Sequence, residues 1–201
     1  MGHSQADKMQ SHDRIVRIAA RRFREFGLEG LSIADLMKEA GLTHGGFYKH
    51  FQSRDDLVMQ ALAAIREERK EMQPAKADGS QEGSKASFAL FVEAYLDASH
   101  RDEPGSACPL GTLISDLARA GEDAKDLGTA WVKEDFEILA TLMQGANAKA
   151  RRAKAIVALS AMAGALGLAR AVSDDKLSDE ILTEARHYLI ANFAQDTQSN
   201  G

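Results

Sequence analysis

Apolar side chains recur every three or four positions along most of the chain, and glycine, proline and short polar residues punctuate the runs. In residues 11–26, Ile15, Ile18, Ala19, Phe23 and Phe26 fall at helical spacing, with Gly27 as the stop. Residues 28–31 make a turn. Ser32 and Asp35 have capping-box spacing, in which a hydroxyl takes an orphan amide and the acid returns a bond, so a second helix opens there and ends at Gly41. Leu42 and Thr43 turn the chain into a third helix, capped by Thr43 and running to Phe51. A second capping box, Ser53 to Asp56, opens a long helix over about 54–73 that Pro74 closes. Residues 74–84 (PAKADGSQEGS) are small and polar and read as a linker or loop. Further helices are predicted over about 85–99, 109–120, 123–144, 148–172 and 178–195, with a break at 102–106. The predicted class is all-α, a three-helix head over residues 11–60 followed by a larger helical body over 61–201.

Composition agrees. The 201 residues are 44% apolar and 27% charged, a globular balance, while three prolines and 6% aromatics leave little material for a large sheet. A single cysteine excludes an internal disulfide framework and a multi-cysteine zinc site, and fits a reducing cytoplasm. The start of the chain has no apolar signal region, and the longest uncharged apolar stretch, 155–169, is shorter than the roughly 18 to 20 residues that cross a bilayer. A cytoplasmic protein without a membrane partner is expected. The net charge of −5 is unevenly spread: residues 1–60 hold nine Lys/Arg against eight acids, a net of +1, so the remainder carries −6. Four of the six histidines lie in that first segment. An acidic body with a less acidic head is compatible with DNA binding without demonstrating it.

The chemistry that stands out is at residues 32–51. Three short helices in about forty residues, the second and third joined by Ala40-Gly41-Leu42-Thr43, have the grammar of a helix-turn-helix. Ile33, Leu36, Met37 and Ala40 form the inner face of the second helix, and Phe47 and Phe51 that of the third. What remains outward on the third is Thr43, His44, Gly45, Gly46, Tyr48, Lys49 and His50. A short element without bulky side chains at its start suits a major groove roughly 12 Å wide, where first-turn residues meet base edges.

The run GLTHGGFYKHF at 41–51, with Gly27, Gly30-Leu31-Ser32, Ala34 and Ser53 to Leu57 in register, resembles the DNA-binding domain of the TetR family of transcriptional regulators. That resemblance implies roles position by position. Thr43, His44 and Gly45 take base-reading or close-approach positions; Tyr48, His50 and Arg54 take phosphate-contacting ones; Ser32 sits where a helix N-terminus reaches the backbone. Gly46 departs from the family's Ser, Thr or Ala, which passes specificity to His44, Lys49 and DNA shape. Two adjacent glycines also weaken the helix by about 1 kcal/mol each against alanine. The family further implies a homodimer through its last two helices, here the small-residue run 158–169 with Gly164 and Gly167, and Tyr188 on the last helix. It implies double-stranded operator DNA as partner and an unknown small-molecule inducer in the body. Met59, Leu62, Ile65, Met72, Phe88, Phe91, Tyr95, Trp131, Phe136, Met143 and Met162 are candidates to line its cavity, each equally explained as core. The expected function is a ligand-responsive regulator, most simply a repressor on a pseudo-palindromic operator.

Other groups carry less. Arg21, Arg22 and Arg24 read as a solvated helix face, and Phe23, Phe26, Phe47 and Phe51 as core. Cys108 precedes Pro109 at a predicted helix start, which favours a thiolate and leaves a redox or electrophile sensor as an alternative to a core cysteine. No metal-ligand pattern, no phosphate loop after a strand and no catalytic constellation is present, so neither an enzyme nor a cofactor is expected. A purely architectural DNA-binding protein is the rival class, but it would not need an acidic helical body two-thirds of the chain long.

Overall fold

The computed structural model describes residues 5–71 and 81–194, and among these every regular element is helical. In order they are α1 (Gln5–Phe26), α2 (Ile33–Glu39), a 3-10 turn (His44–Lys49), α3 (Arg54–Glu71), α4 (Gln81–Tyr95), α5 (Ala98–Asp102), α6 (Leu110–Arg119), α7 (Glu122–Leu142), α8 (Ala148–Ala171) and α9 (Asp175–Leu189). A π-helical turn, Ile190–Ala194, follows α9. The chain divides into two compact units, Met1–Met72 with Pro104–Gly128, and Gln73–Glu103 with Thr129–Gly201.

In the first unit α1 packs on α2, α3 and α6, burying Ile15, Ala19, Ala20 and Phe23. Phe26, expected in the core, is instead 57% exposed, with the Arg22 guanidinium 5.1 Å over its ring. Arg24 also departs from expectation: it is buried, and its Nη1 donates to Glu68 Oε2 on α3 at 2.8 Å. In the second unit α8 packs along α9, and α4 packs on α9 and the π turn. Arg101 joins α5 to α9 through Asp179 (2.7 Å) and Ser178 Oγ (2.9 Å), while the Ser178 hydroxyl donates to the Ala169 carbonyl at the end of α8.

Several boundaries differ from the periodicity. Helix α1 begins six residues earlier, at Gln5 rather than Ser11. The helix predicted over 85–99 starts at Gln81 and stops at Tyr95, because Asp97 caps a separate short helix by accepting from Ser99 N–H. The last helix starts at Asp175, where Asp174 accepts from the amides of Lys176 and Leu177. Of the expected linker, 81–84 belong to α4; residues 74–80, the ends expected near Gln73 and Gln195, and Met72 lie outside the described residues. By length and composition α8 would suffice to cross a bilayer, since the helix runs past the uncharged stretch at both ends; 39% of its most apolar window is buried within the chain.

Candidate nucleic-acid interface

The turn between α2 and the 3-10 element is built by local chemistry. Ser32 caps α2: its Oγ accepts from Asp35 N–H at 3.1 Å and its hydroxyl donates to Asp35 Oδ2 at 2.6 Å, so the acid returns its bond to the hydroxyl instead of the Ser32 amide. The C-terminus closes as a Schellman turn, with Leu42 N–H on the Met37 carbonyl (2.8 Å) and Gly41 N–H on the Lys38 carbonyl (3.0 Å). Gly41 holds φ +72°, a conformation that disfavours any side chain with a Cβ. Met37, Leu36 and Ala40 seal the inner side, and Phe47 and Phe51 meet them, fully or nearly fully buried.

The third element corrects the expectation of an α-helix to Phe51. It is a six-residue 3-10 helix, His44–Lys49, held by i to i+3 bonds such as Gly46 N–H on the Thr43 carbonyl (2.9 Å). Thr43 sits at the N-cap with extended backbone but makes no side-chain cap bond. Gly45-Gly46 gives a regular α-turn little support, and the segment is anchored by Phe47 within it and Phe51 just beyond it, both buried.

This arrangement leaves Thr43, His44, Gly45, Tyr48 and Lys49 exposed, with Tyr48 at 71%. A Cβ added at Gly45 would meet nothing within 4 Å, so that backbone faces open space. Ser32 is exposed at the start of α2. His50, at the C-cap, is half-buried, and burial, then the nearby His12, Lys8 and Lys49, holds its imidazole below the usual histidine range. Arg54, at the start of α3, pairs with Glu29 at 3.1 Å and donates to the Leu28 carbonyl, tying α3 to the turn after α1.

Sequence reasoning missed His12. Its ring stacks on Phe51, centroids 4.8 Å apart, and its Nε2 lies 2.8 Å from Gln60 Oε1. The available signal was its place one turn before Ile15, on the row that continues through Ala19 and Phe23.

The remaining predicted residues lie elsewhere. Cys108 is half-buried just before α6, with Arg69 Nη1 3.8 Å from its Sγ. Gly164 and Tyr188 are exposed and Gly167 is half-buried; a Cβ at either glycine would meet nothing within 4 Å. Of the cavity candidates, Leu62, Ile65, Phe88, Tyr95, Trp131, Met143 and Met162 are buried, while Met59, Phe91 and Phe136 are half-buried. None of them lines the open groove of about 590 Å³ between α4 and α9, which is bounded by Leu90, Glu93, Ala94, Asp97, Arg186, His187 and Ile190.

A capped helix, a glycine Schellman turn and a short second element with an exposed polar edge define a helix-turn-helix head, here carried on an all-helical chain. Residues 15–61 match the family model for bacterial regulatory proteins of the tetR family. Over those residues the chain carries a TetR-type DNA-binding head. It is 37% identical over 56 residues to the HTH-type transcriptional regulator SAB2452 of Staphylococcus aureus (strain bovine RF122 / ET3-1), a match that takes in 28% of this chain and 30% of that one. Solved structures share the fold across nearly the whole chain. A TetR transcriptional regulator from Chloroflexus aurantiacus J-10-FL aligns with TM-score 0.76 and 22% identity, covering 93% of this chain and 96% of its own. The reduced form of Escherichia coli NemR aligns with TM-score 0.71 and 16% identity, covering 93% and 99%.

Proposed function

We propose that this chain is a ligand-responsive transcriptional regulator, acting in the cytoplasm as a repressor that binds a pseudo-palindromic DNA operator as a homodimer. The observation that carries the reading is the exposed edge Thr43, His44, Gly45, Tyr48 and Lys49, mounted on a buried Phe47–Phe51 base behind the Gly41 turn. Thr43, His44 and Gly45 are the base-facing positions. Tyr48 and His50 contact phosphates, Lys49 shares specificity with His44, and Ser32 lies where the N-terminus of α2 reaches the backbone. Arg54 joins them by exchanging Glu29, whose side chain is 85% exposed, for a phosphate oxygen. Two-fold protein symmetry then calls for two half-sites about one helical turn, or a multiple, apart. A small molecule that favours one arrangement of the two heads needs little energy: a 100-fold loss of operator affinity corresponds to about 2.7 kcal/mol of coupling. This role requires no catalysis and no cofactor.

The test is retention and sequencing of genomic fragments on the immobilised protein, followed by titration of the recovered site. Tyr48→Ala weakens binding to all sequences alike, and Arg54→Ala lowers the salt slope by about one. His44→Ala relaxes base preference at one position by about 1–3 kcal/mol. Unchanged selectivity in His44→Ala removes His44 as a reader, and failure to retain any fragment sinks the DNA-binding reading itself.

A further inference from the structure

The recognition turn rests on a pair of histidines that base and phosphate contact alone do not account for. From α1, His12 stacks on Phe51 and meets Gln60 Oε1. Gln60 donates to Asp56 Oδ1 at 2.8 Å, and Asp56 Oδ2 accepts from Gln52 N–H at 2.8 Å, so this carboxylate is already engaged on both oxygens. The amide nitrogen of Gln60 points to Asp56, which leaves its oxygen to accept from His12 Nε2–H. The His50 ring lies 6.1 Å from that of His12, and its Nδ1 is buried with no hydrogen-bond partner. A neutral ring can take the Nε2–H tautomer and leave only a lone pair there. A protonated ring leaves an N–H and a charge, the costlier orphan in a dry site. The groups facing His50 are cationic or protonatable: Lys8 and His12 from α1, and Lys49 from its own turn. On α3, Asp56 is coupled to His12 and held by Gln60 and Gln52.

We propose that His50 is a proton-linked DNA contact, neutral in the free head and protonated from solvent when a backbone phosphate reaches it, with His12 as the positioning residue that seats the ring and opposes the proton until DNA arrives. This rests on the DNA-binding reading above. The displaced titration of His50 in the free chain, caused first by burial and then by its cationic neighbours, agrees with the geometry. The sign follows from linkage. The complex binds more protons than the free components, so affinity rises as pH falls, by at most about tenfold per pH unit for one proton.

Binding of a mixed-sequence duplex about two helical turns long, at fixed low salt from about pH 8 to pH 6, tests this, because phosphate contact does not depend on sequence. The wild type gains affinity toward pH 6, and His50→Gln loses that gain. His12→Phe keeps an aromatic ring on Phe51 but removes a protonatable neighbour, and shifts the rise to higher pH. A purely structural role for His12 would weaken binding equally at every pH. As a check independent of the variants, the His50 ring proton, followed by NMR in the wild type, titrates at higher pH with duplex than without. Binding with the wild-type pH slope retained in His50→Gln, or an unmoved His50 titration, overturns the proposal alone. No duplex binding at any pH overturns the DNA reading and the proposal with it.

Discussion

Arg24 and Glu68 illustrate how burial changes what a charged residue is worth. Arg24 is 5% exposed and its guanidinium meets Glu68 on α3, 44 positions away in sequence, while its Nε has no partner. One turn away, Arg21 and Arg22 form a lattice with Glu25 and Glu39 at 2.5–3.1 Å, but these side chains are 18–46% exposed. Exposed pairs of this kind contribute about 0.2–1 kcal/mol each, because water competes for both partners. Removing the partner of a buried donor leaves it unsatisfied, at a cost of about 2 kcal/mol. Glu68→Ala is therefore expected to lower stability by about 2 kcal/mol in urea unfolding, and Glu39→Ala by less than 1 kcal/mol. The Glu68 side chain is itself 37% exposed, so equal effects would mean that water reaches the Arg24 guanidinium once Glu68 is gone.

Among the elements, the recognition turn is the least regular, and its two glycines separate folding from contact. A Cβ at Gly46 would meet Met37 Cε at 3.5 Å and Thr43 Oγ1 at 3.7 Å, ordinary contact distances; one at Gly45 would meet nothing within 4 Å. Neither glycine has a positive φ. Alanine at either position is thus expected to stabilise the head by up to about 1 kcal/mol, through lower chain entropy in the unfolded state. The two variants part company on DNA. Gly46→Ala keeps or improves affinity, whereas Gly45→Ala, at the outward-facing position, loses affinity while gaining thermal stability. A Gly45→Ala protein that binds as well as wild type would mean that the backbone there does not closely approach a base or phosphate.

At the scale of the whole molecule, α8 and α9 present an outward face that the chain itself leaves uncovered. Val157, Leu168 and Tyr188 are 55%, 60% and 65% exposed, with Gly164 between the first two on α8. Glycine inside a helix costs about 1 kcal/mol against alanine, and nothing within 4 Å of Gly164 or Gly167 in this chain requires it. A second copy lying against α8 would require it, since glycine lets two helix backbones approach closely. On the dimer proposal, Gly164→Ala raises the stability of the isolated subunit but weakens self-association, and Gly164→Glu abolishes self-association together with operator binding. Light scattering and operator titration read both. A Gly164→Glu protein that remains dimeric would place the interface on another face. The same apolar face gives α8 the hydropathy of a membrane helix, and burial against a second subunit would account for it without lipid.

What the sequence determined by itself is local. Apolar periodicity, the caps at Ser32 and Ser53, and the left-handed glycines Gly27 and Gly41 each act within a turn or two of chain, and all lie where the pattern put them. The all-helical class and the helix-turn-helix grammar followed from those signals, because a helix-turn-helix is specified by a few neighbouring residues; the likeness of residues 41–51 to the TetR head was a matter of resemblance. Tertiary structure decided which member of an apolar or charged row is covered, since the covering residue comes from far along the chain. Periodicity placed Phe26 with Phe23, yet only Phe23 is buried; Arg24 looked solvated until Glu68 met it. His12 acquires its place beneath the recognition turn from Gln60 and Phe51, 48 and 39 positions away. Helix type at 44–49 was likewise not a local matter: the two glycines offer little helix preference, while Phe47 inside the segment and Phe51 just past it are both buried by residues outside it.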